Sequence, residues 1–153
     1  MTNSSPGSGP LTASNIAVVD AGAFVAAVDT ADRNHLAVAE VLARRELRFV
    51  AAALCVAEAT YLIHQKYGPV TEADFLEGLG GMDVLAPEPA EWPRIAALVR
   101  QYASLRLGGA DASLIVLAER LDTDLVLTLD RRHFAAVRPA HCSALRLLPE
   151  TLR

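Results

Sequence analysis

The sequence predicts an α/β domain: a short, central, mostly parallel sheet of four to five strands, flanked by helices on both faces. Three observations predict it. Apolar runs of only three to five residues alternate with stretches whose apolar residues recur at helical spacing. Ile16 to Val19 is apolar at every position and Leu125 to Leu129 at all but Thr128, as strands covered on both faces must largely be. Finally, 153 residues with 52% apolar content suit one domain with its own core.

The first element, Ile16 to Val19, reads as a buried strand, and Asp20-Ala21-Gly22 turns it into a helix around Phe24 to Val28. A polar connection, Asp29 to Asn34, leads to a second helix with Leu36, Ala39, Leu42 and Ala43 at helical spacing. Arg48 to Val50 carries a weaker strand signal, followed by a helix from about Cys55 to Tyr67 that Gly68-Pro69 stops. Thr71, with Asp74 three residues on, marks the start of the next helix, which ends at Gly80-Gly81. Met82 to Leu85 reads as a third strand. Ile95, Leu98, Val99 and Tyr102 form a helical stripe ending at Gly108-Gly109. Asp111 to Leu121 is a further helix, with Asp111 as its N-cap. Leu125 to Leu129 gives the clearest strand signal. A helical turn at His133 to Val137 and a last strand at Leu145 to Leu148 complete the pattern.

Residues 1–14, rich in Ser, Gly and Pro, read as a flexible lead-in to a single domain over 15–153, without the charged start and apolar centre of a secretory signal. No apolar run reaches the roughly 18 residues a membrane helix needs. Cys55 and Cys142 have no metal-ligand spacing and lie in apolar surroundings, which fits a reduced, cytoplasmic protein. The net charge of −4 argues against a generally basic nucleic-acid-coating protein. It leaves room for a nuclease whose positive charge is a bound cation. Lys66 is the only lysine; the arginine bias is what a GC-rich genome produces.

Of eighteen acidic residues, four fall where a parallel sheet would gather them, at the carboxyl edge of its strands. They are Asp20, Glu58, Asp111 and Asp130. Asp122 and Asp124 serve as a control: they precede the strand that Asp130 follows, so its length of about 17 Å separates them from the crevice. Glu40, Glu46, Asp74, Glu77, Glu119 and Glu150 read as solvated helix faces or ends, and Asp29 and Asp32 as caps. Asp20 alone fits a helix cap as well as a reactive group. Glu58 has Leu54, Tyr61 and Leu62 as helical neighbours, an apolar face on which a carboxylate needs a partner, and no Lys or Arg lies between Arg48 and Lys66.

Carboxylates crowded together raise one another's pKa unless a cation joins them. Oxygen donors without a His or Cys cluster suit Mg²⁺ or Mn²⁺, and such a site can polarise a phosphodiester and activate water. Thr128 and Ser113 are candidates to hold a carboxylate or a bound water, or else to satisfy backbone groups. Arg131 and Arg132 are candidates for substrate phosphates. His133 is a third candidate for that role, with a solvated loop as its favoured reading, and His35, His64 and His141 read as structural or surface residues.

The motifs Val18-Val19-Asp20-Ala21-Gly22-Ala23-Phe24, Val56-Ala57-Glu58-Ala59, Gly109-Ala110-Asp111-Ala112-Ser113 and Thr128-Leu129-Asp130-Arg131-Arg132-His133-Phe134 together resemble a PIN-domain nuclease. Their spacing is similar to that of the VapC toxins of bacterial toxin–antitoxin pairs, over about residues 16–149. The resemblance implies a Mg²⁺- or Mn²⁺-dependent endoribonuclease acting on structured or translation-related RNA. It also implies a homodimer, inhibited by a cognate antitoxin whose tail blocks the acidic crevice. Carried over, Asp20, Asp111 and Asp130 would be metal ligands, with Glu58 binding directly or through water. The lead-in departs from the family's usual start, in which the first strand follows the initiator methionine almost at once.

Two other readings fit the same acids. One is a non-catalytic α/β interaction module whose acids are caps and turn groups; the other is a housekeeping nuclease of the same fold without an antitoxin. A nucleotide-binding enzyme would need a glycine-rich phosphate loop that the strand-to-helix turns lack. An acyl-phosphate receiver would need a lysine near the crevice, and Lys66 ends a helix.

Overall fold

The central strand β1 (Ile16–Val19) has three consecutive residues, Ala17, Val18 and Val19, with no solvent exposure at all. Successive strand residues point to opposite faces, so both faces of the sheet are covered here. The computed structural model describes residues 15–152; the expected lead-in lies outside them. After β1 come α1 (Ala21–Val28), α2 (His35–Leu42), β2 (Arg48–Ala52), α3 (Ala53–Tyr67), α4 (Pro69–Gly78), β3 (Asp83–Leu85), α5 (Trp92–Gln101), α6 (Gly109–Arg120), β4 (Leu125–Leu127), α7 (Arg131–Ala136) and β5 (Arg146–Leu148).

The five strands are all parallel and ordered β3-β2-β1-β4-β5. The chain builds one half of the sheet outward from β1, then crosses to the other side to lay down β4 and β5. The direction of building therefore reverses between β1 and β4, where Val19 pairs with Leu127. Residues leaving the carboxyl ends of these two strands open the crevice typical of such a switch point. Helix α6 is buried from Ala112 to Ala118 and packs on β1, β2, α3 and α5, which holds its first turn against that crevice. No described helix is long and apolar enough to cross a membrane.

Several boundaries differ from the sequence reading, each for a local reason. The β4 ladder stops at Leu127, because Thr128 turns its hydroxyl to Asp130 N and Asp130 leaves the sheet to cap α7, although Thr128 N still donates to Leu148 O. Helix α4 begins at Pro69, not at the Thr71–Asp74 signal: proline's fixed φ suits a first helical position, and Gly68 makes the joint at φ 85°. Gly108 is the N-cap of α6, so Asp111 lies inside the first turn and does not cap it. Helix α7 starts at Arg131, two residues earlier than expected, because the Asp130 side chain accepts from His133 N at 3.1 Å. Strand β3 is an exposed edge along its whole length.

Candidate active site

Asp20 is the residue at which β1 becomes α1. Its extended backbone, φ −82° and ψ 157°, puts it at the N-cap, and Oδ1 accepts from Ala21 N at 2.8 Å. Oδ2 accepts from the Thr128 hydroxyl, also at 2.8 Å, across the β1–β4 junction. The side chain is thus both a cap and a fixed, inward-facing carboxylate. Burial pushes its pKa up to about 6, and the Asp111 and Glu58 carboxylates push in the same direction.

Asp111 reaches the same crevice from the first turn of α6 and is half-buried. Burial raises its pKa, and the Asp130 carboxylate adds to the rise, while the neighbouring His133 opposes it. Glu58 stands on α3 at the mouth, exposed, with its pKa raised by partial desolvation and by Asp111. Its helical neighbours Tyr61 and Leu62 are exposed too. Glu58 therefore does not sit on a buried apolar face, as the sequence suggests; it faces the crevice, not the core. Asp130 enters from the loop after β4. All four acids line one open cavity of about 770 Å³, together with His133, Arg106, Arg131 and Arg132.

No arginine or lysine pairs with any of the four among the described residues. Several acids elsewhere are compensated. Asp29 pairs with Lys66, Glu119 with Arg94, Asp124 with Arg146 and Glu150 with Arg44, and each of these carboxyls is held below its ordinary range. The crevice is where buried negative charge is left without a fixed cationic side chain. That is the electrostatic signature of a divalent-cation site. The donor set fits one, since Asp111, Asp130 and His133 each offer an atom within 4.8 Å of the others.

The supporting residues divide. Thr128 does more than satisfy backbone: besides donating to Asp20, its oxygen accepts from Asp130 N at 2.9 Å, tying two of the acids together. Ser113 is turned away and donates to Ala110 O at 2.6 Å, so it holds no carboxylate. Arg131 is engaged by the carbonyls of Leu147 (3.4 Å) and Pro149, which fixes α7 to the end of β5. Arg132 is exposed at the rim without a protein partner among the described contacts. Cys55 is buried beneath Asp20, its thiol directed at Ala110 O.

Two residues at the crevice hold places that the sequence reading does not give them. Arg106 has a left-handed backbone (φ 55°) and lines the crevice. His133, expected in a solvated loop, is largely enclosed: Nδ1 lies 2.9 Å from Asp130 Oδ2 and 3.3 Å from Asp111 Oδ2, and Nε2 donates to Leu105 O at 2.7 Å. The three-residue spacing of Asp130 and His133 on one helical turn is the signal that could have found it. The acid assignments away from the crevice also need two changes. Glu119 is half-buried against Arg94 and Ala140 N, not solvated. Asp29 and Asp32 make Asx turns to Ala31 N and Asn34 N and cap no helix N-terminus. His35, His64 and His141 bond to Ala26 O, Glu72 and Thr123 O, in keeping with structural roles. Asp124, at the opposite edge, pairs with Arg146 as the control requires.

Comparison with known proteins identifies the family and the fold. The sequence profile of the PIN domain matches residues 17–138, a span that contains all four acids. The chain is 35% identical to Ribonuclease VapC26 of Mycobacterium tuberculosis (strain ATCC 25618 / H37Rv) over 134 residues, covering 86% of this chain and 99% of that protein. Its fold resembles the crystal structure of Mycobacterium tuberculosis VapC20, described as a Sarcin-Ricin loop cleaving toxin. That match has a TM-score of 0.67 at 12% identity and covers 72% of this chain and 86% of the other. The chain belongs to the PIN-domain family, among its VapC-type ribonucleases.

Proposed function

We propose that this chain is the endoribonuclease toxin of a VapBC-type toxin–antitoxin pair, hydrolysing RNA phosphodiester bonds at the Asp20–Glu58–Asp111–Asp130 crevice. The observation that carries the reading is the uncompensated charge there: carboxylates with raised pKa values, in a chain that pairs Asp29, Glu91, Glu119 and Asp124 with arginine or lysine. Family membership supplies the reaction class.

Asp20, Asp111 and Asp130 would hold Mg²⁺ or Mn²⁺, with Glu58 bound directly or through water. Such an ion supplies Lewis acidity at the phosphoryl oxygen and makes water a better nucleophile. The chain's own contribution is positional. Thr128 and Ala21 N lock Asp20 in one rotamer, and Thr128 also fixes the backbone that presents Asp130. Helix α6, immobilised by its buried length, holds Asp111. Fixing these groups in advance is what makes them effective in the transition state. Arg106 and Arg132, both exposed and lining the crevice, are candidates to hold RNA phosphates.

The expected partners are structured or translation-related RNA, a cognate antitoxin whose tail covers the crevice, and a second copy of the chain as homodimer. Sequencing RNA 5′ ends after brief expression tests the function. Wild type should create new ends at defined sites and Asp130→Asn should create none; identical patterns in both would overturn the proposal.

A further inference from the structure

The environment of His133 restricts what its ring can do. A carbonyl oxygen only accepts, so the 2.7 Å contact with Leu105 O places a hydrogen on Nε2. In the neutral ring Nδ1 then carries a bare lone pair, aimed at Asp130 Oδ2 (2.9 Å) and Asp111 Oδ2 (3.3 Å). Three acceptors cannot face one another at those distances with nothing between them. Something positive belongs there: a proton on Nδ1, or a divalent ion shared by the imidazole and both carboxylates. The ring is also held from both sides, by Leu105 on one segment and by its own helix α7, whose first turn Asp130 caps. A ring with one nitrogen donating to a carbonyl and the other turned toward carboxylates has the orientation of a ligand histidine.

Building on the proposed nuclease reading, we infer that His133 contributes Nδ1 to the divalent-ion site, giving it a mixed oxygen–nitrogen donor set that favours Mn²⁺ over Mg²⁺. The expectation drawn from sequence was a purely oxygen site. Magnesium gains little from an imidazole, being a hard ion that keeps oxygen ligands and waters, whereas manganese accepts nitrogen more readily. Asp111 and Asp130 alone would not discriminate between the two.

The test uses the purified full-length chain, freed of metal and titrated with Mn²⁺ alone. Pulsed electron paramagnetic resonance reads directly bound nitrogen, and ¹⁵N-histidine labelling of the wild type identifies it as imidazole. His133→Gln keeps a donor for Leu105 O but offers no nitrogen lone pair. Bound Mn²⁺ should show one imidazole nitrogen in wild type and none in His133→Gln, and the Mn²⁺/Mg²⁺ affinity ratio should fall about tenfold in the variant. Stoichiometric Mn²⁺ binding without nitrogen coupling in wild type would overturn the His133 assignment and leave the nuclease reading standing. No saturable Mn²⁺ binding at all would overturn both. The wild-type spectrum decides the assignment even if the variant fails to fold.

Discussion

The Thr128 hydroxyl donates to Asp20 Oδ2 at 2.8 Å while its oxygen accepts from Asp130 N at 2.9 Å, so one side chain couples the acids that leave the two central strands. The bond to Asp20 could not form if β1 and β4 were not neighbours. The sheet order and the site geometry meet in this residue.

Thr128→Val should break both bonds while keeping the shape of the side chain. Two buried groups lose a partner, so urea denaturation should show a loss of about 1–3 kcal/mol. RNA cleavage should fall by roughly ten- to a hundredfold. Thr128→Ser should restore most of the activity. Unaltered cleavage by Thr128→Val would separate Asp20 orientation from catalysis.

Asp20 predicts a pH dependence. Its folded-state pKa of about 6 lies above the ordinary 3.8, so the folded chain binds more protons than the unfolded chain between those values. Ionised Asp20 therefore costs the metal-free fold on the order of 3 kcal/mol above about pH 6, a cost that fades as pH falls toward 4. In EDTA, Asp20→Asn should gain stability over wild type at pH 7.5, and the gain should shrink at pH 6 and again at pH 5. A difference between the two proteins that does not vary with pH would contradict this reading of the Asp20 environment.

The two arginines after Asp130 should separate by readout. Arg131 holds the carbonyls of Leu147 and Pro149, so Arg131→Ala should lose about 1–2 kcal/mol of stability. Arg132 has no partner among the described contacts. Arg132→Ala should leave the melting temperature unchanged and weaken RNA binding, lowering the salt slope of affinity by about one. Binding to a short RNA at several salt concentrations, alongside thermal melts, checks both.

Asp124→Ala is the matched control. It lies at the opposite edge of the sheet and pairs with Arg146. RNA cleavage per folded molecule should match wild type. A large loss would mean that acidity anywhere on the sheet matters, and the crevice would lose its special status.

Legible in the sequence is whatever depends on strand order and on residues beside a strand end. Asp20 and Asp130 come directly after apolar runs, so placing those strands places the acids. Hidden is whatever depends on side-chain direction. Ser113 is two residues from Asp111 yet points at Ala110 O, because helix residues two apart face different ways. Arg131 and Arg132 are adjacent, and only the structure shows which is occupied by β5. The sequence marks Glu58 for a burial it does not have: an apolar helix stripe looks the same in sequence whether it meets the core or solvent. The spacing from Asp130 points to His133, but the enclosure of its ring is hidden, because Leu105 positions it, a contact across 28 residues through a carbonyl that no residue type announces.

The central claim is that the clustered carboxylates act on RNA only with a divalent ion among them. The most direct measurement tracks cleavage of a substrate RNA by metal-free protein as Mn²⁺ is added, with Asp111→Asn in parallel. Cleavage should be absent in EDTA, recover saturably with Mn²⁺ in wild type, and remain at least about a hundredfold lower in the variant. Full-rate cleavage in EDTA, or an Asp111→Asn variant that responds to Mn²⁺ as wild type does, would contradict it.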